Sequence, residues 1–181
     1  DHDFTILSLP GEHAAERYAQ WSPAVYGKTV FGNCRGISSH QSSPFVALMR
    51  KGCTEESGEV YGCSLIYSGS HYECVEVDQY GKTRFLAGIQ PETFTWKLEA
   101  GECFETPEAA ICYSGHGLGE MSRRFHKIIR ENVCRGKFRD TERPVLINNW
   151  EATYFNFNQE KILALAEKAK AIGVDLMVLD D

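Results

Sequence analysis

The chain has 181 residues, 43% of them hydrophobic, with a formal net charge of −6. That length and apolar content suit a folded globular protein of one or two domains rather than a disordered chain. The acidic balance, with no basic block to neutralise phosphates, argues against nucleic acid or an anionic membrane surface as a partner. No apolar run approaches the roughly eighteen residues of a membrane span, and the opening residues do not read as a signal peptide. Seven cysteines, an odd number without C-x-x-C spacing, read as reduced thiols serving as small core residues.

Along the chain, Phe4 to Leu9 alternates as a strand does, and Pro10-Gly11 ends it. His13 to Trp21 fits a short helix and an irregular loop equally. Thr29 to Phe31 is strand-like and Gly32 to Ser43 is polar. Pro44 to Met49 is an apolar strand that leads into a polar turn, Lys51 to Gly58. Tyr61, Cys63, Leu65 and Tyr67 then share one face of a period-two strand. Ser68-Gly69-Ser70 reads as a hairpin turn and Tyr72 to Val77 as the return strand. Thr83 to Ala87, Phe94 to Leu98 and Ala109 to Tyr113 continue the series, with Tyr67, Phe94 and Trp96 expected in the core. Short strands about ten residues apart, separated by Gly and Ser turns, predict an antiparallel β-sandwich over 1–115.

From about Leu118 the period lengthens. Met121, Phe125, Ile128, Ile129 and Val133 trace one helical face and Arg123, Arg124, Lys127 and Arg130 the other, which predicts a helical connector over 116–141. In 142–181, Pro144 introduces Val145 to Ile147 as a buried strand. Asn156 with Gln159 reads as a helix start, Ile162, Leu163, Ala166, Ala169 and Ile172 recur at helical spacing, and Gly173 supplies the stop. Val174 to Leu179 reads as a second buried strand. Strand, helix and strand make a βαβ unit with parallel strands. In parallel α/β folds chemistry gathers at the carboxyl ends of the strands; here those ends carry Asn148, Asn149, Trp150 and Glu151, then Asp180 and Asp181.

The run Arg143-Pro144-Val145-Leu146-Ile147-Asn148-Asn149-Trp150-Glu151-Ala152-Thr153-Tyr154-Phe155, followed by a helix and Val178-Leu179-Asp180-Asp181, resembles the opening of the catalytic barrel in bacterial α-galactosidases of glycoside hydrolase family 36, the melibiases. Arg35 to Gln41, Tyr67 to Gly69, Gly101 to Glu108 and Met121 to Arg123 resemble, in the same order, that family's N-terminal β-domain and connecting helix. The resemblance implies a multidomain β plus α/β architecture: part of an antiparallel β-sandwich (a supersandwich), a helix, and the first βαβ unit of a (β/α)8 TIM barrel. It implies a parent enzyme that hydrolyses terminal α-1,6-linked galactose from melibiose- and raffinose-type oligosaccharides with retention, needs no cofactor and assembles as a homotetramer. With the cysteines, it implies a cytoplasmic setting. The family's nucleophile and acid/base lie on later barrel strands, so this segment contributes no catalytic residue and is expected to show no turnover alone.

Adjacent acids on an extended chain point to opposite sides, so Asp180 and Asp181 do not suit the facing carboxylates, roughly 5–5.5 Å apart, of a retaining glycosidase. They suit a grip on two different hydroxyls, and the resemblance implies that this pair holds galactose through O4 and O6. A strand-terminal Asp that caps the next helix is the plainer reading. Trp150 is placed either to stack on a sugar face, as the resemblance implies, or to pack internally. Asn148, Asn149 and Glu151 either meet the substrate or support the residues that do. Ser38, Ser39 and His40 lack a G-x-S-x-G context, and the six histidines show no ligand spacing for a metal. Two other classes remain open on these residues: a sugar-binding β-sandwich module without chemistry, and a related α-N-acetylgalactosaminidase or galactosyl-transferring enzyme.

Overall fold

A computed structural model describes residues 1–180. The chain forms two compact units, residues 1–129 and residues from 130 onward, so the expected connector at 116–141 is divided between them.

The first unit contains β1 (Phe4–Pro10), β2 (Gln20–Pro23), β3 (Gly27–Gly32), β4 (Ser42–Arg50), β5 (Val60–Ile66), β6 (His71–Val77), β7 (Thr83–Ile89), β8 (Glu108–Ser114) and the helix α1 (Gly117–Ile128). Two antiparallel sheets result, one of five strands in the order β2-β1-β4-β5-β8 and one of three in the order β3-β6-β7. Strand alternation sends Val46 and Leu48 of β4 to one side, where they meet Ile6, Ala24, Val75 and Val77 between the sheets. Ala47 and Met49 point the other way and join Leu7, Val60, Cys112, Met121 and Phe125 beneath α1. The five-stranded sheet is therefore covered on both faces, which explains why Phe45 to Met49 is continuously apolar rather than alternating. Gly62 sets the depth of the helix: a Cβ there would stand 2.5 Å from the Met121 sulfur and 2.7 Å from Phe125 Cε2. The first N–H groups of α1 have no side-chain cap; Gly117, Leu118 and Gly119 donate instead to the carbonyls of Gly58, Thr54 and Glu55.

Several expectations change here. Ser68-Gly69-Ser70 is not a hairpin turn, because β5 and β6 belong to different sheets. The chain crosses the sandwich at this point, held by the 33–41 loop: Ser38 donates its N–H to the Ser68 carbonyl and its hydroxyl to the Tyr67 carbonyl, and Gly36 donates its N–H to Ser70 Oγ. Phe94 to Leu98 forms no strand, since no neighbour among the described residues offers it a ladder. Its rings pack among themselves and on Phe104, with centroids 5.1–6.4 Å apart. Trp96 is 60% exposed and Tyr67 36% exposed, so neither is a core residue. His13 to Trp21 resolves as a loop with left-handed Ala14 and Arg17, ending in the edge strand β2. At the end of α1 the bonding changes to a π turn, Ile129–Val133. Its i→i+5 bonds shift the helical face, and Ile129 and Val133 stay exposed while Met121 and Phe125 are buried.

The second unit contains β9 (Leu146–Asn148), α2 (Trp150–Thr153), α3 (Gln159–Ala171) and β10 (Leu176–Val178). β9 and β10 are parallel, pairing Leu146 with Leu176, Ile147 with Met177 and Asn148 with Val178. The cap of α3 is Asn158, whose side chain accepts from the Lys161 N–H. Asn156, expected in that role, instead accepts from the Lys161 ammonium. Gly173 ends the helix region at φ 88°, as its position predicts. The two strands read as buried, yet Val145, Leu146, Leu176, Val178 and Leu179 are all exposed. A sheet of two strands has no third strand to shield their sides.

Candidate functional site

Parallel pairing in this register brings the carboxyl ends of β9 and β10 side by side, and the polar residues that follow each strand meet there. The arrangement is made by asparagines. Asn149 is fully buried, and its Oδ1 accepts the backbone N–H of Asp180 at 2.8 Å. Its Nδ2 donates to Thr153 Oγ1 at 3.0 Å, and that hydroxyl donates back to the Asn149 carbonyl. Asn148 uses both ends of its amide as well. Its Nδ2 donates to Asp180 Oδ2 at 2.8 Å, while its Oδ1 accepts the Trp150 N–H at 3.2 Å. A charge-assisted bond of this kind is among the stronger hydrogen bonds available to a side chain.

Trp150 is half-buried at the start of α2. Its ring meets Tyr154 and Phe155 edge-on, with centroids 5.4 Å and 4.9 Å away and interplanar angles of 80° and 87°. Neither aromatic neighbour lies parallel to the indole. Glu151 is exposed, and its partner is the Tyr154 hydroxyl at 3.1 Å. That hydrogen bond, with the Glu151 charge, raises the Tyr154 phenol above its ordinary value. Glu151 therefore fixes the aromatic group rather than Asp180. At the opposite end of the strand pair, Asp175 accepts the Val145 N–H at 3.0 Å, so the ladder is tied at both ends.

Of the residues singled out from sequence, Asp180, Trp150, Asn148 and Asn149 come together. Asp181 lies outside the described residues. Thr153, Tyr154 and Phe155 were not singled out as site residues. Their signal is local spacing: Thr153 follows Asn149 by four positions and Tyr154 follows Trp150 by four, the distance at which one helical turn stacks side chains. Among the described residues no group of three or more His, Cys, Asp or Glu is placed to hold a metal ion. What the site offers is the Asp180 carboxylate, oriented by the Asn148 amide, and the indole of Trp150, whose backbone N–H the same amide accepts. That is equipment for holding a hydroxylated ring that has one polar edge and one apolar face.

Residues 1–99 match the glycosyl hydrolase family 36 N-terminal domain, and residues 103–181 match the melibiase domain. The chain is 49% identical to α-galactosidase AgaA of Geobacillus stearothermophilus, across 99% of its own length and 25% of that protein. It is 48% identical to α-galactosidase Mel36A of Lactobacillus acidophilus, across 100% of its length and 25% of the relative. The chain thus spans about a quarter of the length of these relatives. Crystal structures of AgaA superpose with a TM-score of 0.94 over 99% of the chain and 25% of AgaA, at 49% identity. Variants of AgaA have been crystallised in complex with stachyose and with raffinose.

Proposed function

The chain belongs to glycosyl hydrolase family 36, and from that premise we propose that it is the sugar-gripping part of a retaining α-galactosidase acting on terminal α-1,6-linked galactose. Raffinose and stachyose, bound by variants of the similar AgaA, belong to the substrate class expected here. In the proposed reaction a carboxylate displaces the aglycone while a second carboxyl group protonates the leaving oxygen; water then hydrolyses the galactosyl-enzyme. Neither carboxyl group is assigned to Asp180 or Asp181. Those two hold the ring through its O4 and O6 hydroxyls, and Trp150 lies against its apolar face.

The observation that carries this reading is the bridge made by Asn148, from the Trp150 backbone to the Asp180 carboxylate. It turns two residues that follow different strands into one preorganised receptor. A charged acceptor aimed at an axial hydroxyl discriminates against the epimer, because the wrong sugar leaves the acceptor desolvated and unpaired at a cost of about 1–3 kcal/mol. The seven cysteines are all free thiols, which supports a reducing, cytoplasmic setting. No helix among the described residues is long and apolar enough to cross a membrane. The homotetramer implied by the family is part of the same proposal, and sedimentation of the complete protein measures it.

Hydrolysis of aryl α-galactoside and aryl α-glucoside by the complete protein tests the assignment. Asp180→Asn should lower kcat/KM for the galactoside by about 100-fold, near the upper range for a hydrogen bond to a charged group, with an unchanged melting temperature. Near-normal activity in that variant removes Asp180 from the binding site.

A further inference from the structure

Within the sandwich lies an ionisable pair that the proposed reaction does not use. His71 and Glu73 both face inward from β6, and both side chains are fully buried. His71 Nδ1 lies 2.7 Å from Glu73 Oε2, and its Nε2 lies 2.9 Å from the backbone carbonyl of Ser42. Ser42 opens β4 in the five-stranded sheet, whereas His71 belongs to the three-stranded sheet. The imidazole therefore bonds across the interface between the sheets.

Hydrogen-bond chemistry fixes the proton count. A backbone carbonyl can only accept, so Nε2 carries a hydrogen. Nδ1 then either carries a second hydrogen and donates to an ionised Glu73, or is bare and accepts from a protonated one. A neutral imidazole beside an ionised Glu73 would set a lone pair against a carboxylate at 2.7 Å. Glu73 Oε1 is buried without a partner among the described residues, so compensation for the carboxylate comes through His71. We propose that His71 and Glu73 form a one-proton clasp between the two sheets, so that the sandwich takes up a proton as it folds at neutral pH and is loosened when that proton is lost.

The surroundings add little competing charge. Phe31 of β3 and Ala87 of β7 pair with Glu73, and Ile89 of β7 pairs with His71; cross-strand partners share a face. From β5 comes Cys63, whose thiol is pushed up to about 11 by burial and then by the Glu73 charge, so it stays neutral. Asn33 and Gln90, beyond the ends of β3 and β7, are buried and uncharged. Burial alone would lower the His71 imidazole; the Glu73 hydrogen bond and charge, with the Ser42 carbonyl, outweigh it and hold His71 above its ordinary value. A raised histidine contributes its full stabilisation below the unfolded value, about 6.5, and loses it as the pH climbs through the folded value.

Glu73→Gln separates the proton from the geometry. The Gln amide can donate to a bare Nδ1 while Nε2–H still donates to Ser42, so both bonds persist with no added proton. Chemical unfolding of the complete protein from pH 6.5 to 8.5 should show the wild-type unfolding constant rising relative to the variant, by up to about tenfold per pH unit, the mark of one linked proton. Parallel profiles overturn the clasp. If Glu73→Gln does not fold, the volume-matched double variant His71→Phe/Glu73→Leu takes its place with the same expected difference. In nitrogen-15 spectra of the wild type, an imidazole titrating at its ordinary value overturns the proposal, and one that holds its state well above that value supports it.

Discussion

The two units keep their shape by different means. In the first, a five-stranded sheet is covered by a second sheet on one face and by α1 on the other, and two apolar clusters fill the spaces. In the second, Ala169 and Asn149 are the buried residues among those described, while apolar side chains of both strands stand exposed. There, order at the strand mouth comes from side-chain amides that bond backbone and carboxylate. Within these residues the positions of Asp180 and Trp150 therefore rest on individual hydrogen bonds, each open to separate test.

The contrast can be broken by substitution. Phe125→Ala should destabilise the first unit by about 3–5 kcal/mol, because its ring fills the space between α1 and the sheet; hydrogen exchange at β4 amides measures this. His71→Ala, which strands the Glu73 carboxylate, should cost a comparable amount of about 3–5 kcal/mol. Asn149→Ala leaves the Asp180 N–H without its partner and removes the bond that Thr153 Oγ1 accepts, and should cost about 1–3 kcal/mol in exchange at the β9–β10 ladder. Loss of the Asn158 cap should destabilise α3 by about 1 kcal/mol, read by circular dichroism of Asn158→Ala. Leu163→Ala, on the exposed side of α3, should fall within about 0.5 kcal/mol in the 181-residue chain. If Leu163→Ala rivals Phe125→Ala, the two units are held together in the same way after all.

How far the sequence disclosed this follows from which interactions are local. The βαβ unit was legible because Pro144, Gly173 and the helical spacing from Ile162 to Ala169 each act within a few residues. The strand series of the sandwich was legible for the same reason. Pairing was not: Ser68-Gly69-Ser70 has hairpin composition, but what decides its course is a set of bonds to Gly36 and Ser38, some thirty residues away. Phe94 to Leu98 alternates well and still forms no strand, since alternation describes a chain and a ladder needs a neighbour. At the candidate site the residues were legible and their division of labour was not. Asn148 and Asn149 looked interchangeable, yet one bonds the Asp180 side chain and the other its backbone. The buried His71–Glu73 pair gave no signal, because two polar residues at alternate positions ordinarily mark a solvent-facing edge.

The register of β5 against β8 has a kinetic consequence. Val60 pairs with Ser114 and Ile66 with Glu108, although the intervening chain builds two strands of the other sheet. Successive hairpins cannot assemble this unit. Closing so long a loop must precede much of the stabilisation it brings, which places the unit among slow, high-contact-order folders. On the ribosome, the β5 edge must wait for residue 114 to emerge before its pairing with β8 is complete, and for that interval it is an unpaired edge open to another molecule.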